Sequence, residues 1–192
     1  MDSKIPSRDE AIALLHEFNE NESLRRHAYA VEAVMRHMAR KRGEDEETWG
    51  IVGLIHDLDY GLFPEEHCRK TGEILKARMW PEPLIRAVRS HGWGICSDLE
   101  PKTDLEKTLF AVDELTGLVA ASALVRPSKS LKDLTVKSVM KKWKSPAFAA
   151  GVDRSIIEQG AAMLGMNIPA LVDDVIMGMR QVADEIGLAG ES

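Results

Sequence analysis

Apolar residues recur at helical spacing almost throughout this 192-residue chain, yet the inner stripe of one segment after another is interrupted by a histidine or an aspartate. Such a pattern leaves little freedom. Alternating runs of β-branched residues are missing, so the segments read as helices and the fold class as all-α. The helices must also pack so that the interrupting groups meet, because each one buried alone would lose its hydration without compensation. The series is His27, His56-Asp57, His67, His91 and Asp113, which takes in four of the six histidines.

The first helix is expected after Ser7, and the second from about Ser23 to Arg42, stopped by Gly43. The inner stripe of the second runs Leu24, His27/Ala28, Val31, Val34/Met35, Met38, which turns His27 inward and leaves His37 off the stripe. A third helix, capped by Asp45, carries Trp49, Val52 and Ile55 inward and brings His56 and Asp57 to its last turn, before Tyr60-Gly61 breaks it. A fourth after Pro64 aligns His67, Thr71, Ile74, Leu75 and Arg78, and a fifth after Pro83 aligns Leu84, Val88 and His91. Gly92-Trp93-Gly94 and the polar stretch behind it form a rim to an entrance, with Trp93 either stacking on a base or anchoring the loop.

Thr103-Asp104-Leu105-Glu106 reads as a capping box opening a long helix that ends before Pro127, with Asp113 inside its apolar stripe and no arginine at helical spacing to pair it. Three more helices are expected, Leu131 to Lys144, Asp153 to Leu164 closed by Gly165, and Pro169 to Ile186. One domain spanning 1–192 results, with metal-bearing helices over about 20–127 and buttressing helices over about 130–188.

Any one of these histidines alone would more often be a hydrogen-bonded interior side chain than a ligand. Together with the aspartates they make a donor set that one cation would stabilise in common. His27, His56, Asp57, His67, His91 and Asp113 are the candidate ligands, and Asp57, able to ligate through both oxygens, could serve either one divalent ion or two. Iron, manganese, nickel, cobalt and zinc all suit mixed nitrogen and oxygen ligation. Asp59, Glu65 and Glu66 flank the ligands and are placed to orient water or an imidazole, with Glu65 and Glu66 equally placed simply to favour the helix start after Pro64.

The formal charge of −6 disfavours a surface built to neutralise a nucleic-acid polymer, while a small phosphorylated substrate remains compatible with it. Arg126 and Lys129, at the end of the long helix, are the first candidates to bind its phosphate. Lys137, Lys141 and Lys144 share a helical face and read as solvated surface. The start of the chain lacks the apolar core of a secretory signal and no apolar run reaches membrane length, so a cytoplasmic location without membrane contact is expected. Cys68 and Cys96 show no redox or zinc spacing and are expected as two reduced thiols. The apolar stretches 163–166 and 176–179 suit the core, or a homo-oligomer face.

His27, His56-Asp57 and Asp113 resemble the H…HD…D signature of the HD-domain phosphohydrolase superfamily. His67 in the stretch 66–75 and His91 after Ile85-Arg86-Ala87-Val88 are similar to the extra histidines of two-metal subfamilies. The stretches 111–117 and 123–127 resemble a bacterial HDIG-type branch. Departures accompany the likeness. His56-Asp57-Leu58-Asp59 lacks the glycine that names the HDIG group, Gly92 stands where some two-metal relatives have another histidine, and no Gly-Tyr-Pro motif occurs. The resemblance implies metal-dependent hydrolysis of a phosphoester or phosphoanhydride, commonly in a nucleotide. Asp57, His67 and His91 would be the catalytic groups, the imidazoles serving as proton donors where they hold no metal. The competing readings are a non-catalytic, metal-stapled module that binds a nucleotide or partner, and a di-iron oxygenase.

Overall fold

Ser7 opens the first helix through a reciprocal pair: its hydroxyl accepts from the Glu10 backbone N–H while the Glu10 carboxylate takes the Ser7 N–H. The computed structural model describes residues 5–190, and among them the chain forms nine α-helices and no strand. They are α1 (Arg8–Phe18), α2 (Glu22–Arg42), α3 (Glu46–Ile55), α4 (Arg69–Ala77), α5 (Glu82–Ser90), α6 (Asp104–Leu124), α7 (Val136–Trp143), α8 (Arg154–Met163) and α9 (Ile168–Arg180). Gly43 closes α2 in the left-handed conformation at φ +74°, and the Thr103 and Glu106 capping box opens α6.

The two longest helices, α2 and α6, pack on each other at the centre. α3 lies against α2, α5 against α3 and α6, α8 against α6, and α9 against both α2 and α6. Missing side chains permit the closest approaches. A Cβ on Gly160 would stand 2.5 Å from the Cα of Ala111, and one on Gly178 would stand 2.7 Å from the Cα of Val34. Buried apolar residues from all nine helices join one cluster that runs from Ala11 to Leu188, including Ile176 and Met179 of the 176–179 stretch. At the middle of α2, the buried Glu32 receives Arg8 Nε at 2.6 Å and Arg36 Nε at 2.9 Å, while Arg36 also donates to Glu47, tying α1, α2 and α3 together.

Several boundaries differ from the expectation. α3 stops at Ile55, so His56 is its C-cap and Asp57 lies in the following turns. The stretch after Pro64 is a short 3-10 turn, Pro64–Glu66, and Cys68 at φ +65° interrupts the chain before α4, which leaves His67 outside any helix. α7 begins at Val136 rather than Leu131, with Thr135 as its cap, and α9 ends at Arg180 rather than Ile186. Cys68 and Cys96 are joined as a disulfide with their Cα atoms 6.1 Å apart, which corrects the expectation of two free thiols. Their separation of 28 residues hid the pairing, which forms because the loops after His67 and His91 converge. No single helix among the described residues is long and apolar enough to cross a membrane.

Candidate metal centre

Helix ends, rather than helix middles, deliver most of the candidate ligands. His56 and His91 are the C-cap residues of α3 and α5, and each ring is aimed by the turn it closes. His56 Nδ1 lies 2.7 Å from the Gly53 carbonyl and His91 Nδ1 lies 2.5 Å from that of Val88, so the Nδ1–H groups donate there and both Nε2 atoms point the other way. His67 is aimed by a carboxylate instead. Its Nδ1 is 2.7 Å from Asp59 Oδ1, and the buried Asp59 is itself held by the Thr71 N–H at 2.7 Å. Asp59 thus fills the orienting role; Glu66 pairs with Arg69 on the surface. His27 and Asp113 come from the interiors of α2 and α6.

These six side chains meet around Asp57. Its Oδ2 is 3.5 Å from His56 Nε2 and 4.0 Å from His27 Nε2, while its Oδ1 is 3.4 Å from His67 Nε2 and 3.3 Å from His91 Nε2. Asp113 Oδ1 stands 2.9 Å from His27 Nε2 and 3.2 Å from His56 Nε2. One oxygen of Asp57 therefore faces each pair of imidazoles. His27, His56 and Asp57, and likewise Asp57, His91 and Asp113, bring ligand atoms within 4.8 Å of one another, a spacing at which one ion can be shared. The donor set of imidazole nitrogen and carboxylate oxygen, with lone pairs turned inward by outer hydrogen bonds, fits a divalent transition metal.

Charge in the cluster is mutually supported. Burial disfavours the charged form of His91, but its hydrogen bond to Asp57 and the fields of both aspartates prevail and raise its pKa to about 9. Burial likewise opposes the charge on His56, and Asp57 and Asp113 overcome it, so its pKa rises. Burial alone would push Asp57 and Asp113 upward, yet the neighbouring imidazoles hold both carboxyls well below the usual range. Glu114 goes the other way: burial first, and the adjacent Asp113 second, push its carboxyl up to about 7.

The cluster floors a cavity of about 370 Å³, walled by Tyr60, Ile95, Phe110, Glu114 and Ile156. The Tyr60 ring stands edge-on to His67 at 5.2 Å between centroids. Trp93 packs on Phe110 with centroids 5.9 Å apart and so anchors the rim. Tyr60, Phe110, Glu114 and Ile156 were not singled out from the sequence. Only Glu114 carried a signal, its place beside Asp113. Gly92 backs the disulfide: a Cβ there would lie 2.2 Å from the Cys96 Sγ and 2.4 Å from that of Cys68, so the sulfurs occupy the space a side chain would need.

Arg126 is not brought to this cavity. It closes on Asp133, with Nη2 to Oδ2 at 2.6 Å, and lies 13 residues beyond Asp113, about 20 Å along the helix axis. Lys129 follows it past the end of α6. Neither Arg126 nor Lys129 lines the cavity over Asp57. His37, off the inner stripe, pairs with Asp174 at 3.1 Å beside Lys41.

Neither the curated proteins nor the solved structures contain a match to the chain. A family model described as the HD domain does match, over residues 24–118, a stretch that contains all six clustered side chains. The stretch 24–118 therefore carries an HD domain, a family whose members are generally metal-dependent hydrolases.

Proposed function

We propose that this protein is a metal-dependent phosphohydrolase that cleaves a phosphoester or phosphoanhydride bond in a small phosphorylated molecule of the nucleotide class or related to it. The observation that carries this reading is the division of Asp57, one carboxylate oxygen toward His27 and His56 and the other toward His67 and His91, at the floor of an open cavity. A divalent cation held there would lower the pKa of bound water toward neutrality and would polarise a phosphoryl oxygen. His27, His56, Asp57 and Asp113 are the residues that would hold it, and His67 and His91, with Asp57, would hold a second.

The protein's own groups supply the rest. The Gly53 and Val88 carbonyls and Asp59 keep three imidazoles fixed, so little reorganisation accompanies substrate binding. Where His67 and His91 carry no ion, either Nε2 faces the cavity floor as a proton donor to a leaving oxygen. Glu114, whose carboxyl retains its proton to about pH 7, lines the same wall. Tyr60 presents an exposed ring at the mouth of the cavity. A cavity of this size over the ligands favours catalysis over a closed structural staple.

The test is a panel of phosphoesters and nucleotides with protein whose metal content has been measured. Release of phosphate or a nucleoside monophosphate is expected in the wild type and only background release in Asp57→Ala. Turnover that is the same in both proteins would remove the cluster from the mechanism.

A further inference from the structure

Six glycines lie inside helices, and packing accounts for five of them. A Cβ on Gly50, Gly53, Gly72, Gly160 or Gly178 would come within 3.0 Å of a neighbouring atom, whereas one on Gly117 would meet only Val152 Cγ2, at 3.8 Å. Glycine weakens a helix relative to alanine. Gly117 therefore keeps a space open that no close neighbour demands. That space adjoins the candidate metal centre, because Gly117 stands one turn beyond Asp113 on the same face of α6 and lines the cavity over the cluster.

The same residue lines a second cavity, of about 520 Å³, that shares both Gly117 and His27 with the first. Its walls are Leu24 and Ala30 of α2, Ala120 and Leu124 of α6, Met179 of α9 and the buried Ile186. Asp113, Gly117, Ala120 and Leu124 fall at i, i+4, i+7 and i+11, a single stripe that runs about 16 Å from the cluster to the outer end of the cavity. Leu24, His27 and Ala30 make the facing stripe on α2. Glu22 and Arg26, paired with each other, stand at the rim.

We infer that Gly117 determines specificity, holding open a passage through which the organic part of the substrate runs from the cluster into the apolar cavity between α2, α6 and α9. The ligand class that fits is a phosphate monoester of an elongated apolar alcohol, its phosphate over Asp57 and its chain passing between His27 and Gly117. This rests on the hydrolase reading for the phosphate end only. The passage itself rests on the two cavities and on the unexplained glycine.

Binding and turnover separate the two. In manganese-loaded protein, calorimetry with octylphosphonate and ethylphosphonate, neither hydrolysable, is expected to show the longer chain bound at least about tenfold tighter, since six further methylenes leave water. Gly117→Leu is expected to remove that difference, and Ala120→Phe, which narrows the next turn of the passage, to repeat the result if Gly117→Leu folds poorly. Octyl phosphate should likewise exceed ethyl phosphate in kcat/KM. Equal affinity for the two phosphonates, or a difference that survives both substitutions, would overturn the passage. Chain-length-dependent binding without hydrolysis of any ester would overturn the hydrolase reading and leave the passage standing. Hydrolysis of both alkyl esters alongside equal phosphonate affinities would do the reverse.

Discussion

Asp59 governs the direction of His67 without being one of the clustered ligands, since one of its oxygens takes the ring Nδ1 and the other the Thr71 N–H. Asp59→Ala frees that ring, and partners of this kind are worth about 10–100-fold in metal affinity. A loss of that size in manganese affinity is expected by competitive titration. Glu114 gives a pH signature. Its folded carboxyl keeps a proton to about pH 7 while the unfolded one releases it near 4.5, so the folded state binds more protons between those values and loses stability as pH rises through them. Glu114→Gln keeps the acceptor for the Asp153 N–H and removes the slope. Its melting temperature should exceed that of the wild type at pH 8 and match it near pH 4. Of the six clustered side chains, His27 and Asp113 were legible from helical register inside α2 and α6, whereas His56, Asp57, His67 and His91, at or beyond helix ends, stood out by their chemistry among apolar neighbours. Glu114 and Tyr60 were not, because what recruits them is proximity across elements. Arg126 shows the converse: a cation expected near the site by type, carried about 20 Å along the axis by the helix that precedes it.

Among the elements, caps were the most readable signals. Ser7, Asp45, Thr103, Gly43 and Asp153 all mark helix ends as expected, because a side-chain acceptor or a left-handed residue acts within one turn. The misplaced starts and stops fall where tertiary geometry overrides local pattern. α4 begins late because Cys68 adopts φ +65° where it joins Cys96, and periodicity through His67 carries no sign of that turn. The junction of α1, α2 and α3 depends on Glu32, which neutralises both Arg8 and Arg36 from a buried position. Glu32→Ala leaves two guanidinium groups without their shared partner. Destabilisation on the order of 3 kcal/mol is expected in urea unfolding. At the α6 and α8 crossing, Gly160→Ala drives a methyl into the Ala111 backbone and should cost about 1–3 kcal/mol. Gly117→Ala on the same α6 should do the opposite and stabilise by about 0.5–1 kcal/mol.

For the molecule as a whole, the cluster makes stability depend on both acidity and metal. In protein stripped of metal, His91 holds its proton to about pH 9 against an ordinary value of 6.5, so its contribution is complete below 6.5 and is lost as pH climbs through 9. Asp57 and Asp113 contribute above their ordinary value of 3.8, and that part is lost as pH falls beneath it. Thermal melts of the stripped protein should therefore peak between pH 3.8 and 6.5 and decline toward pH 9. Adding manganese should reverse the alkaline decline, because a cation takes the place of the His91 proton and binds more tightly as that proton leaves. The all-α class was evident in the sequence, since periodicity is a property of the entire chain. The wall between α2, α6 and α9 was not, because it exists only once distant helices meet. A carboxylate with an oxygen committed to each half of the centre also imposes an order of loading. An ion on one side would claim Asp57 there and draw off charge that a second would use, so a pair of ions would load in two separate steps, and a sample with substoichiometric metal would hold mostly singly filled molecules.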